Sequence, residues 1–319
     1  MISTRIASRT GSRGLTLIEL MIAMVIGLVI IAAASAMFVS SSASRRQVEL
    51  SADVIENGRY GLDMLSRDLS QAGFYGTLAV PTGTTIDVCS TDPAVWADSL
   101  AMYAVGLNNA DASPACLTTR KAGTDAIFIQ RASTCTVTDP AAACAESVGN
   151  AYLQVSECGI EYNATPFVVA ASNDASFTLQ TKACDGTKAT KRKMIRRIYF
   201  ISSGDELSYI EITPAGVLGP FVVVENIEQM QIEYALDSND DGTADSFTPT
   251  PAAADWPKVI GVRAWVLARS SETSANVKDA VTFQMSDTTV AVPAASANFK
   301  RRVYSTYIPF ITPKSRRES

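Results

Sequence analysis

The 319-residue chain contains no histidine. That absence excludes Ser-His-Asp and Cys-His activation of a nucleophile, imidazole acid–base chemistry, and the usual zinc and haem ligation. An enzyme built here would have to run on carboxylates such as Asp240 and Asp245, and the sequence offers them no nucleophile and base pair. A cationic surplus is also missing, since 27 Lys and Arg stand against 32 Asp and Glu. There is therefore no chain-wide electrostatic footprint for nucleic acid. No C-x-x-C pair occurs, which removes the common redox and thiolate-metal motifs. Internal repeats are absent, and only one apolar run is long enough to cross a bilayer.

That run covers residues 15–39, and its only charged residue is Glu19. At about 1.5 Å per residue it exceeds a hydrocarbon core of about 30 Å. A carboxylate inside such a segment costs about 2.5 kcal/mol or more, so Glu19 calls for a partner. In a plain signal anchor it would instead snorkel toward the interface. Residues 1–14 carry Arg5, Arg9 and Arg13 without an acid, and no A-x-A site follows residue 39, which differs from an ordinary secretory signal. The basic end stays in the cytoplasm by the positive-inside rule, leaving residues 40–319 outside. Cysteine usage agrees: Cys89, Cys116, Cys135, Cys144, Cys158 and Cys184 all follow the apolar run. An even, irregularly spaced set favours disulfides in an oxidising compartment. Six cysteines allow 15 connectivities, which the sequence does not decide between; sequential pairing is the expectation taken, with Cys89–Cys116 tying an irregular region, Cys135–Cys144 closing a short loop, and Cys158–Cys184 joining neighbouring strands.

Residues 40–72 contain no proline, and Val48, Ala52, Ile55, Leu62, Leu65, Leu69 and Ala72 recur at helical spacing. Charged residues such as Arg45, Asp53, Glu56 and Asp63 fall on the opposite face. One continuous helix of nearly sixty residues is predicted, apolar all round in its first half and amphipathic in its second. Strand patterns follow at 126–130, 151–155, 166–170, 176–180, 194–201, 207–212, 221–224, 227–234, 259–268 and 302–310, with a hairpin across residues 202–206. Residues 237–245 read Asp-Ser-Asn-Asp-Asp-Gly-Thr-Ala-Asp. Asp237, Asn239, Asp241, Thr243 and Asp245 offer oxygen ligands at calcium-loop spacing around Gly242. Thr248 replaces the bidentate Glu of an EF-hand, so Ca²⁺ affinity should be weak; an acidic turn needs the same residue types without a metal.

The string Gly14-Leu15-Thr16-Leu17-Ile18-Glu19-Leu20, between a basic leader and an apolar helix, resembles the class III leader of type IV prepilins. The resemblance implies cleavage after Gly14 by a prepilin peptidase and N-methylation of Leu15. It also implies an assembly role for Glu19, whose carboxylate would meet the N-terminal amine of a neighbouring subunit. Leu15 stands where the family usually has Phe, and Ala36 stands where many major pilins have a proline. Residues 224–234 ending in Tyr234, then the Asp-rich loop, Trp256, and Leu267-Ala268-Arg269-Ser270 resemble the C-terminal half of PilW-type minor pilins. Residues 302–308 resemble that family's last strand, without its closing Arg-Asn.

The expected fold is therefore α+β and type IV pilin-like, a long N-terminal helix packed on an antiparallel β-sheet domain with disulfides. Its expected divisions are a cleaved leader at 1–14, a transmembrane and filament-core helix at 15–39, and its amphipathic continuation at 40–73. An extracytoplasmic β-rich domain at 74–312 and a disordered tail at 313–319 complete it, with residues 75–190 the protein-specific elaboration. The resemblance implies a minor pilin in an initiation or tip complex of type IV pilus assembly, without enzymatic activity. A minor pseudopilin of a type II secretion system and a pilus-tip adhesin or DNA-binding module are the alternatives. Implied partners are other minor pilins, the major pilin, the prepilin peptidase, the inner-membrane assembly machinery, and membrane lipid before assembly. The basic cluster Lys188, Lys191, Arg192, Lys193, Arg196 and Arg197 is expected to be a solvated, charge-protected strand edge in preference to a DNA contact.

Overall fold

The computed structural model describes residues 14, 16–109, 112–274 and 282–317. Helix α1 (Leu17–Leu69) is followed by α2 (Pro93–Ala97), β1 (Ala104–Leu107), β2 (Ala126–Ala132), β3 (Ala151–Val155), α3 (Gly159–Ala164) and β4 (Phe167–Ala171). Then come β5 (Lys191–Ile201), β6 (Glu206–Thr213), β7 (Gly216–Glu225), β8 (Ile227–Leu236) and β9 (Ser246–Thr248). The chain ends with β10 (Val259–Thr273), β11 (Thr282–Met285), β12 (Thr288–Ala291), β13 (Phe299–Pro309) and α4 (Ile311–Arg317). Two compact units divide it, residues 1–49 and 50–319.

In the first unit, residues 20–39 of α1 are almost entirely apolar, with Leu20, Met24, Leu28, Ile31 and Phe38 all exposed. It has the length and composition to cross a bilayer.

In the second unit, the buried face of α1 is Leu50, Val54, Gly58, Gly61, Leu62, Leu65, Asp68 and Leu69. The apolar stripe predicted from Leu62 onward lies on this face, but Val48, Ala52 and Ile55 are exposed. Two glycines explain the difference. A Cβ on Gly58 would lie 2.2 Å from the Tyr304 ring, and one on Gly61 would lie 3.1 Å from Val224. The helix is rotated so that these two positions let strands approach its backbone, and apolar spacing alone misplaces the first half of the stripe.

All strand pairings are antiparallel. One sheet has the order β1-β2-β5-β3-β4, with β6 also on β5 and β7 on β6. The other has the order β13-β10-β8-β9, and β11 and β12 form a separate hairpin. A shared core joins Leu65 and Leu69 of α1 to Phe128, Ile198, Phe200, Ile232, Val262 and Val266. The expected hairpin forms, with residues 202–205 connecting the paired strands β5 and β6. The strand expected at 176–180 does not form, because turns occupy residues 172–176 and only Gln180 makes a bridge, to Lys188.

β1 approaches the second sheet through Gly106, where a Cβ would lie 1.9 Å from the Tyr234 hydroxyl oxygen. Tyr234 is buried and packs edge-on against Trp256 at 4.8 Å, so it cannot yield cheaply. Gly106→Val is expected to destabilise the protein by about 3 kcal/mol, measurable as a lower midpoint in urea unfolding.

Three disulfides form in the expected sequential order, Cys89–Cys116, Cys135–Cys144 and Cys158–Cys184. The expected disordered tail is instead helix α4 through Arg317. Arg316 donates to the Leu78 carbonyl at 3.1 Å, and Arg317 to the Pro257 carbonyl at 2.6 Å, so the arginines hold this segment down.

Candidate functional site

Gly14 and Thr16 precede the first turn of α1; Leu15, where cleavage and methylation are expected, lies outside the described residues. The Glu19 carboxylate accepts from the Thr16 backbone N–H at 3.1 Å and from the Thr16 hydroxyl at 3.0 Å. In return, the Glu19 N–H donates to the Thr16 hydroxyl at 3.3 Å. This is a reciprocal capping box, and it satisfies donors that a helix start otherwise leaves open. A negative charge in the first turn also suits the helix dipole. Glu19 therefore has a local partner within its own chain. The Thr-x-x-Glu spacing signals that arrangement, and reading Glu19 only as a membrane charge misses Thr16.

At the other end of α1, the buried Asp68 ties the helix to the seven-stranded sheet. Arg131 Nε donates to Asp68 Oδ1 at 2.8 Å, Arg197 Nη1 to Oδ2 at 2.9 Å, and the Tyr199 hydroxyl to Oδ2. Arg197 also pairs with Glu211 at 2.8 Å, and Lys193 pairs with the same carboxylate at 3.0 Å. Burial pushes the Asp68 carboxyl up, but Arg131, Arg197 and the tyrosine hydroxyl outweigh it and hold it below the usual range.

This network corrects the reading of the basic cluster. Most of its members stand on β5, which is interior to its sheet and not an edge. Lys191 pairs with Glu146 at 2.6 Å, and Arg192 donates to the Ser133 carbonyl at 3.2 Å. Arg196 is buried between Trp96 and Phe128, 4.9 Å from each ring, and donates to the Ser90 and Asp87 carbonyls. Lys191, Arg192 and Arg196 thus have partners within the protein, while Lys188 of the same cluster is exposed.

The Asp-rich loop joins β8 to β9. Asp237 is fully buried, and its carboxylate accepts from the backbone N–H groups of Asp241 at 3.2 Å and Gly242 at 2.9 Å. Asn239 Oδ1 also accepts from the Asp241 N–H, Asp241 Oδ1 from the Thr243 N–H, and Asp245 Oδ2 from the Ser238 N–H. Hydrogen bonding to Thr243 holds the Asp241 carboxyl below its ordinary value. Gly242 has φ 80°, the left-handed conformation the sharp turn requires. Arg317 approaches from α4, with Nη1 3.5 Å from Asp237 Oδ2 and in contact with Asp240. The loop thus has backbone-oriented oxygen donors of a type that suits Ca²⁺, and an arginine that already balances part of their charge.

Residues 198–311, from β5 to the start of α4, match the family model of type IV pilus-assembly protein W. Residues 9–35 match the prokaryotic N-terminal methylation motif. No curated protein matches the chain. Among solved structures, a type IV-like pilin from Thermus thermophilus is 13% identical, covering 81% of this chain and 94% of that one with a TM-score of 0.37. The chain is therefore similar to the N-terminal methylation motif at the start of its apolar helix and to the pilus-assembly protein W model across its C-terminal strands.

Proposed function

We propose that this protein is a minor pilin of type IV pilus assembly, a structural subunit of an initiation or tip complex. The observation that carries the reading is the methylation motif on a membrane-length helix bearing Glu19, in one chain with the pilus-assembly W domain. Before assembly the protein crosses the inner membrane once, with its disulfide-bonded domain in the periplasm. Prepilin peptidase cleaves after Gly14 and Leu15 is methylated. Other minor pilins and the major pilin are its partners, and the pilus carries it to the cell surface. A secretion pseudopilus is the competing assembly. In-frame deletion of the gene is expected to remove surface pili, counted by electron microscopy, while leaving secretion of folded periplasmic enzymes intact. The reverse pattern would assign it to secretion.

We also propose that the Asp237–Asp245 loop takes Ca²⁺ weakly, supported by the backbone N–H groups that orient its oxygens. Calcium at 10 mM is expected to stabilise the protein by about 1.4–2.7 kcal/mol if Kd is about 10⁻³ to 10⁻⁴ M. Differential scanning calorimetry should show several degrees of upward shift, lost in Asp241→Ala. An unshifted wild type would leave the loop an acidic turn braced by Arg317.

A further inference from the structure

A cavity of about 260 Å³ lies between Leu267 of β10 and the stretch Val290–Pro293 in and after β12. Its charged lining is Lys121, Asp205, Glu228 and Arg269. These residues and Arg301 form one ion-pair network. Lys121 pairs with Asp205 and donates to the Glu228 carbonyl at 3.0 Å. Arg301, whose side chain is buried, takes both oxygens of the Glu228 carboxylate at 2.6 and 2.9 Å. Each carboxylate is thus held by a cation, and Arg269 is a third cation. Its guanidinium is 3.4 Å from Asp205 and 3.7 Å from Glu228, beyond the roughly 2.7–2.9 Å of a charge-assisted hydrogen bond. Its Nε is buried and has no hydrogen-bond partner among the described residues, which is a costly state for a donor. The Phe299 ring lies 4.6 Å from the guanidinium and limits its movement, so the fork is held ready.

Three cations against two carboxylates leave this network one negative charge short. A guanidinium fork matches the paired oxygens of a carboxylate or a phosphate. A dianionic phosphate would also face Asp205 and Glu228, and that repulsion favours a monoanion. The wall opposite the charges is apolar, from Leu267, Val290 and Val292, and suits a hydrocarbon tail. The volume falls just below the roughly 300–1,000 Å³ of small-molecule sites, so the tail is short. A subunit surface does not fit, because a stable interface needs about 800 Å² per partner. We propose that the cavity binds a small organic monocarboxylate, its carboxylate on Arg269 beside Lys121 and its tail against Leu267, Val290 and Val292. The proposal goes beyond the pilus-assembly reading and does not depend on it.

Pentanoate titrated into the detergent-solubilised full-length chain, followed by saturation-transfer NMR, tests this. Saturable binding with a Kd on the order of 1 mM is expected, with a matching rise in the thermal unfolding midpoint. Pentanamide, which keeps the tail and lacks the charge, and inorganic phosphate should each bind at least about tenfold more weakly. Arg269→Gln leaves two cations for two carboxylates and should weaken pentanoate binding about tenfold or more. Gln229 also lines the cavity, and Gln229→Glu supplies a carboxylate from the chain itself. That variant should lose pentanoate binding without a lower unfolding midpoint, which keeps the test decisive if Arg269→Gln does not fold. No saturation up to about 50 mM pentanoate, equal binding of pentanamide or phosphate, or undiminished binding in either folded variant overturns the proposal. Self-association of the wild type that Arg269→Gln abolishes, without pentanoate binding, would assign the cavity to a carboxylate of a second copy and overturns it equally.

Discussion

Glu19→Ala is expected to leave the protein membrane-inserted and folded while reducing surface pili to the level of a deletion strain. The second unit, residues 50–319, has its own core and does not depend on this side chain. What the substitution removes is the one charge in the apolar run. In the single chain that charge is tied to Thr16, and losing a capping interaction costs only about 0.5–2 kcal/mol. Its larger effect comes on docking. Cleavage after Gly14 would create an amine at Leu15, and a carboxylate carried into a bundle of apolar helices is tolerated where it meets an opposite charge. Glu19→Gln separates the two roles, since an amide can still accept from Thr16 but carries no charge. Immunoblots of membrane fractions and pilus counts should show Glu19→Gln failing like Glu19→Ala. Full piliation in Glu19→Gln would reduce Glu19 to a helix cap.

Asp68→Ala should have the largest effect on folding. The substitution leaves Arg131 and Arg197 without their shared carboxylate beneath the helix, and breaking a buried pair from one side costs about 3–5 kcal/mol. Glu211 still holds Arg197, so the loss falls hardest on Arg131. Urea unfolding of the detergent-solubilised chain measures it, and a loss under about 1 kcal/mol would mean that water compensates these cations. The pH dependence has a definite sign. Asp68 titrates lower in the folded chain than in the unfolded one, where an aspartate has a pKa of about 3.9. Its contribution is present above that value and disappears as pH falls below it through the folded pKa. Asp68→Asn should flatten that acid limb of the stability curve.

Much of the architecture was legible in the chain. The strands expected at 194–201, 207–212, 221–224, 227–234, 259–268 and 302–310 lie in the two large sheets, whereas the separate β11–β12 hairpin was not anticipated. Cysteine number and placement pointed to disulfides but left 15 connectivities open, and the structure shows the sequential one. The strand expected at 176–180 and the disordered tail went astray for different reasons. The first has a β-like composition but no neighbour to pair with except at Gln180. The second has a polar composition, and its order comes from arginine contacts to carbonyls at Leu78 and Pro257, distant in sequence.

Residues near one another in the chain determined the methylation motif, the membrane-length run, the isolated Glu19 and its Thr-x-x-Glu cap. Helix geometry and hydropathy act over a few residues, so short spacings suffice to specify them. Which face of α1 meets the sheets, where the β5 cations find their partners, and which cation stays short of a carboxylate were decided by tertiary structure alone. Gly58 meets Tyr304, Asp68 meets Arg131 and Arg197, and Arg269 stands 3.4 Å from Asp205. Each of these depends on segments far apart in sequence arriving at the same place, and no local period encodes that arrival.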